Sequence, residues 1–91
     1  MEEILENIVA LCKKHNAEQV ILYGSRAKKT HRERSDIDIA VDGVENFELL
    51  EEEIEEIPTL YKIDLLNLKE CGNDLLLEDI RQYGCKIYKK V

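Results

Sequence analysis

Two carboxylates one residue apart, Asp36 and Asp38, stand a short distance after a glycine–serine pair, Gly24-Ser25. Residues i and i+2 of an extended strand project to one face, so the pair would present two oxygen-bearing groups to one point, their Cβ atoms roughly 7 Å apart. Alone they repel. A divalent cation between them removes that penalty, and magnesium prefers such hard oxygen ligands, with phosphates completing its shell. The glycine lets a main chain approach a ligand closely. Free N–H groups at the start of a following helix can bind a phosphate, aided by the helix dipole, and the Ser25 hydroxyl adds a hydrogen bond. Arg26, next to the turn, is the nearest cation for phosphate contact. The stretch Gly24–Asp38 is therefore expected to hold a nucleoside triphosphate with its metal ions.

Phosphoryl transfer with two metal ions needs ligands for both, and a group near the attacking hydroxyl that can help take its proton. Asp64, set between Ile63 and Leu65, is the third acid. An aspartate inside an apolar strand is costly unless partnered. A metal role explains its presence, and so would a nearby base such as Lys62 or Arg26. The plain alternatives for the other residues are a solvated strand face for the Asp-x-Asp pair and an ordinary strand-to-helix turn capped by Ser25. Proximity of the two features favours the metal reading. Neither the GxxxxGK[ST] phosphate loop nor the GxGxxG dinucleotide fingerprint is present. Lys28, Lys29, Arg32 and Arg34 read as a solvated face with weaker claims on phosphate. His15 and His31 read as surface residues, without a zinc role.

The elements that must position these residues follow from periodicity. Residues 2–15 carry Ile4, Ile8 and Cys12 at helical spacing, with Lys13, Lys14 and His15 suited to the last turn and Asn16 to the end. Residues 19–23 form an apolar strand that reads as covered on both faces. A short helix is expected at about 26–32, and a second strand at 36–42, with Ile37, Ile39 and Val41 opposite Asp36, Asp38 and Ala40. Residues 45–57 form an acidic amphipathic helix buried through Phe47, Leu50, Ile54 and Ile57, with Asn46 as N-cap and Pro58 as its stop. A third strand spans 60–67. Asn73 caps a helix running to Tyr83, with Leu76, Ile80 and Tyr83 inward and Gly84 just past the end. Residues 85–89 add a last strand. The alternation of helices and strands predicts one α/β (α+β) domain over residues 1–91, a short mixed sheet with helices mainly on one face.

Ninety-one residues with 44% hydrophobic and 36% charged content describe a globular chain too short for a deep enclosed cavity, so a partner is expected to supply part of any active site. The net charge of −7 and the scarcity of aromatics argue against general nucleic-acid binding. The charge is unevenly spread. Residues 26–34 hold five bases and one acid, whereas 45–56 hold seven glutamates and no base. Three cysteines without a CxxC spacing suit free thiols packed as small apolar side chains in a reducing compartment, and no apolar run spans a membrane. A cytoplasmic protein is expected.

The run GSRAKKTHRERSDIDIAV resembles the signature of the DNA polymerase β-like nucleotidyltransferase superfamily: Gly-Ser, a spacer, Asp-x-Asp, and a later Asp on another strand. It is most similar to the prokaryotic minimal nucleotidyltransferases, with the pattern GSRARG…R..SDIDL. Gly24, Ser25, Arg26, Ala27, Arg32, Ser35, Asp36, Ile37 and Asp38 fall on that pattern. The resemblance extends over almost the whole chain, including the Asp64 strand and the closing IRQYGCKIYK. It implies the polymerase β-like fold, two magnesium ions held by Asp36, Asp38 and Asp64, and ATP bound at Gly24, Ser25 and Arg26. It further implies transfer of a nucleoside monophosphate with pyrophosphate leaving. Such proteins are often paired with a helical, toxin-like HEPN ribonuclease, and similar members place AMP on a tyrosine of that partner, acting as its antitoxin. The alternative is a non-catalytic antitoxin that neutralises the partner by occupying it. A homodimer or a heteromer would each suit an apolar face left open. One departure is Lys29, where the family has glycine; the three carboxylates are intact.

Overall fold

A computed structural model describes residues 2–24 and 36–90. The elements in chain order are α1 (Glu2–Lys14), β1 (Gln19–Tyr23), β2 (Ile37–Asp42), α2 (Phe47–Glu55), β3 (Ile63–Asn67), a single 3-10 turn (Leu68–Glu70), α3 (Asp74–Tyr83) and β4 (Cys85–Lys89). The short helix expected at 26–32 lies outside the described residues.

The strands form one sheet in the order β3-β2-β1-β4. β1 runs antiparallel to both β2 and β4, while β2 and β3 are parallel, so the sheet is mixed. Alternation along β2 decides which way the sheet faces. Ile37, Ile39 and Val41 are completely buried and join Ile8 and Cys12 of α1, Val20 of β1, and Leu50 and Ile54 of α2 in one core. α1 and α2 thus cover that face. α3 lies against β1 from the other side, with Ile80 buried and Gly84 against Ile21.

Local chemistry sets the element ends. Asn16 stops α1 in a left-handed conformation, φ 60°, while its N–H donates to Lys13 and that of Ala17 to Cys12, the paired bonds of a Schellman end. The Asn46 side chain accepts from Leu49 N–H at 3.2 Å and that of Asn73 from Leu76 N–H at 3.1 Å, each satisfying a donor that the first helical turn leaves open.

Several expectations need correction. β3 begins at Ile63 rather than 60, because the Thr59 hydroxyl accepts from Tyr61 N–H and holds Leu60 in a turn, 98% exposed. α2 is shorter than 45–57, since Asn46 is its cap and Glu56 its last half-helical residue. β1 is central but only Val20 is fully buried. Tyr83 is 54% exposed, so α3 buries Ile80 without it. Gly84 has an extended backbone (φ −66°); its glycine is needed because a Cβ would strike the Ile80 carbonyl and the Ile21 side chain. His15 is buried, not superficial, and its Nε2 lies 2.5 Å from Glu53 Oε1, tying α1 to α2. Cys85 is exposed, whereas Cys12 packs in the core, where burial pushes its thiol up to about 12.

Candidate active site

The sheet register assembles the site. Asp38 is the second residue of β2 and Asp64 the second of β3, and the two are partners in the parallel ladder. Tyr23, the last residue of β1, is partner to Asp38 on the other side. Tyr23, Asp38 and Asp64 therefore form one row across three adjacent strands. Because directly paired positions share a face, the row lies on the side away from the α1/α2 core. β1 ends at this edge, and β2 and β3 begin there.

Gly24 follows immediately, with φ +76°. A side chain is disfavoured there on two counts: the left-handed backbone, and the position of any Cβ, which would fall on the Asp38 carboxylate. The turn and the acid are thus in direct contact, although 14 positions separate Gly24 from Asp38 in sequence. Ser25 and Arg26, the other residues expected to bind nucleotide, lie outside the described residues, as do Lys28, Lys29, His31, Arg32 and Arg34.

The electrostatics are those of crowded negative charge. Burial, then the Asp64 carboxylate, then that of Asp36 push the Asp38 carboxyl above its ordinary range. Burial, then Asp38 and Asp64, push the Tyr23 phenol up to about 12, so it is a neutral hydroxyl at physiological pH. Asp36 is exposed and sits just before β2. The structure thus brings Asp38 and Asp64 together across strands, with Asp36 flanking. Among the described residues no three His, Cys, Asp or Glu side chains form a ready-made metal cage. The donor chemistry nevertheless suits a hard divalent cation: facing carboxylates repel one another, and such an ion with phosphate oxygens completing its shell relieves the repulsion.

Asp64 is not the buried aspartate expected of an apolar strand. Its side chain is 43% exposed, and Lys62 Nζ stands 3.8 Å from Oδ1. With the lysine also well exposed, that pair contributes little. From the sequence alone Tyr23 reads only as the last residue of an apolar strand. Its place beside Gly24 was visible, but its pairing with Asp38 depends on the β1–β2 register.

Residues 6–91 match the family model for "Polymerase beta, Nucleotidyltransferase". The chain belongs to this nucleotidyltransferase family. Solved structures agree in fold. A toxin–antitoxin structure with AMP-PNP superposes with a TM-score of 0.72 at 21% identity, covering 93% of this chain and 73% of that one. The toxin–antitoxin MntA–HepT gives 0.72 at 18%, covering 99% and 74%. A putative nucleotidyltransferase from Sulfolobus solfataricus gives 0.55 at 22%, covering 97% and 76%. At these identities the likeness is one of fold. No curated protein matches. Among the described residues of this nucleotidyltransferase, no helix is long and apolar enough to cross a membrane.

Proposed function

We propose that this nucleotidyltransferase is a minimal antitoxin enzyme that moves AMP from ATP, with magnesium, onto a tyrosine hydroxyl of a HEPN-type helical partner. The observation that carries the reading is the Asp38–Asp64 pair packed against Gly24 within a chain of this family. Structural neighbours solved as toxin–antitoxin assemblies, one with AMP-PNP, support the partner and the nucleotide.

Magnesium held by Asp36, Asp38 and Asp64 would neutralise charge building on the triphosphate. Gly24 leaves its main chain free of a side chain where the phosphates must approach. Ser25 and Arg26, which follow Gly24 in sequence, would supply a hydroxyl and a guanidinium. The acceptor oxygen attacks the α-phosphorus, the bond to the pyrophosphate oxygen breaks, and the hydroxyl proton passes to the Asp64 carboxylate. Tyr23, neutral and adjacent, offers a hydrogen-bond donor to the same edge.

The test is transfer of label from α-labelled ATP to the co-purified partner. Label is expected with wild type and divalent cation, and not with Asp36→Ala/Asp38→Ala. Equal labelling by the double variant overturns the assigned roles. The second reading, neutralisation by occupancy alone, is favoured by the almost fully exposed Leu60 and Leu75, which offer apolar contact without chemistry. It requires that carboxylate variants still protect cells; loss of protection with binding intact excludes it.

A further inference from the structure

Beside the carboxylate row, a cavity of about 370 Å³ opens between α2 and β3. Glu51 and Glu55 form one wall, Tyr61 and Lys62 the near end, and Ile63 to Leu65 the other wall. Leu60, 98% exposed, stands in the turn leading into it. β3 is the last strand of the sheet, so among the described residues its outer edge has no strand partner. An open edge presents main-chain donors and acceptors to an incoming chain.

We infer that this cavity is the docking groove for the acceptor polypeptide, and that its occupant is an extended, basic segment bearing the hydroxyl to be modified. The inference rests on the transferase reading above and adds to it where and how the acceptor binds. Three features select the occupant. Its strand conformation follows from the unpaired edge of β3. Its apolar contact follows from Leu60, held in solvent by an ordered turn. Its charge follows from the glutamate wall. Glu51 and Glu55 are one helical turn apart, a rise of about 6 Å. Alternate residues of an extended chain are spaced about 6.6 Å. Two basic residues at i and i+2 therefore match the two glutamates. Among the described residues Lys62 is the one cation on the lining, against Glu51, Glu55 and Asp64, so the groove is acidic on balance. Asp64 lies on both the groove and the catalytic row, so a segment laid along β3 passes the acid assigned to the acceptor hydroxyl.

Binding is measured without transfer, so that a failed transferase reading and a failed docking reading are told apart. The probe is a fluorescein-labelled synthetic peptide with a tyrosine beside Arg-x-Arg, followed by anisotropy in chelator at physiological salt. Wild type is expected to bind it, and to bind the same peptide with glutamates in place of the arginines far less. Glu51→Lys/Glu55→Lys should weaken binding about tenfold, the sum of several rim-charge contributions, and Leu60→Ser should weaken it measurably. Glu3→Lys/Glu6→Lys, the same charge change on α1, should leave it within about twofold, since Glu6 lies by Ile87 of β4, at the opposite edge of the sheet from β3, and screening weakens exposed charges over such a span. Leu60 is too exposed for its replacement to unfold the chain, and circular dichroism checks the charge variants. Absence of binding, or equal weakening by both charge pairs, overturns the groove. So does self-association that Leu60→Ser abolishes, which would assign the surface to a second copy.

Discussion

Replacing Asp38 by asparagine should make the protein more stable while destroying its chemistry. Asp38 is held above the ordinary carboxyl range by burial first, then by Asp64 and Asp36. Neighbouring strands are about 4.8 Å apart, so facing carboxylates lie roughly 5 Å from one another. At that separation the repulsion is about 3 kcal/mol at an effective dielectric of 20 and about 1 kcal/mol in water. Asp64 is 43% exposed, which selects the lower figure. Desolvation of the charged form adds to it in the same direction. The amide would keep the shape of the side chain and remove its charge. For a domain of this size about 1 kcal/mol corresponds to a rise in Tm of roughly 4–8 °C.

The sign with pH follows from linkage. A carboxyl whose folded pKa is raised favours the folded state while it is protonated, and that advantage is lost as pH rises from the ordinary aspartate value through the raised one. Asp38→Asn should therefore match wild type near about pH 3 and exceed it near neutrality, where Asp38 is charged. Thermal unfolding by calorimetry in chelator, at both pH values, measures the difference. If magnesium binds the folded carboxylates as proposed, adding it should raise the Tm of wild type and narrow the gap. A variant no more stable than wild type at neutral pH, or equally more stable at both pH values, would refute the account of a strained carboxylate pair.

Gly24→Ala should destabilise by about 1–2 kcal/mol from its backbone alone, and Asp38→Ala in the same chain should recover part of the loss by removing the carboxylate a Cβ would meet; a double-mutant cycle in urea measures the coupling. Leu50→Ala, at a fully buried position of α2, should cost about 2–5 kcal/mol, read as a fall in the urea midpoint. In alkylation followed by mass spectrometry, the exposed Cys85 should label first and Cys12 only on unfolding, since Cys12 is buried and its thiol is pushed to about 12.

What could be read in the sequence was what is local. Asn46 and Asn73 announce their helices because the capping side chain bonds to an N–H three residues on. The stripe of Ile37, Ile39 and Val41 announces the buried face of β2 through a period of two. Polarity thus placed Asp38 opposite the core, and the motif placed Gly24 near it. What could not be read depends on pairing between distant segments. Tyr23 meets Asp38 only through an antiparallel register. Asp36 is two positions from Asp38 in sequence and Asp64 is 26, yet Asp64 weighs more heavily on Asp38, because the parallel ladder sets the two side by side. His15 looked like a surface residue because its partner, Glu53, lies 38 positions away on α2. Thr59 was visible as the residue after Pro58, but its capture of Tyr61 N–H, which shortens β3 and leaves Leu60 in solvent, was not.

The carboxylate row persists against its own repulsion because the core leaves it no alternative. To turn Asp38 away from Asp64, β2 would have to slip by one residue, and a slip of one exchanges the two faces of a strand. Ile37, Ile39 and Val41 would then leave a core in which each is completely buried. Burying three such side chains contributes roughly 5–9 kcal/mol, an upper estimate given that unfolded chains already hide some apolar surface. The opposing repulsion is about 1 kcal/mol. The apolar face wins by a wide margin, so alternation along β2 and β3 delivers the acids to one edge whether or not a cation is present. Gly24 completes the constraint from the third side, since its lack of a Cβ leaves room for the Asp38 carboxylate. A 91-residue chain with little core to spare can therefore keep a high-energy arrangement of charge ready for a ligand, because the residues that hold the arrangement are the same residues that hold the fold.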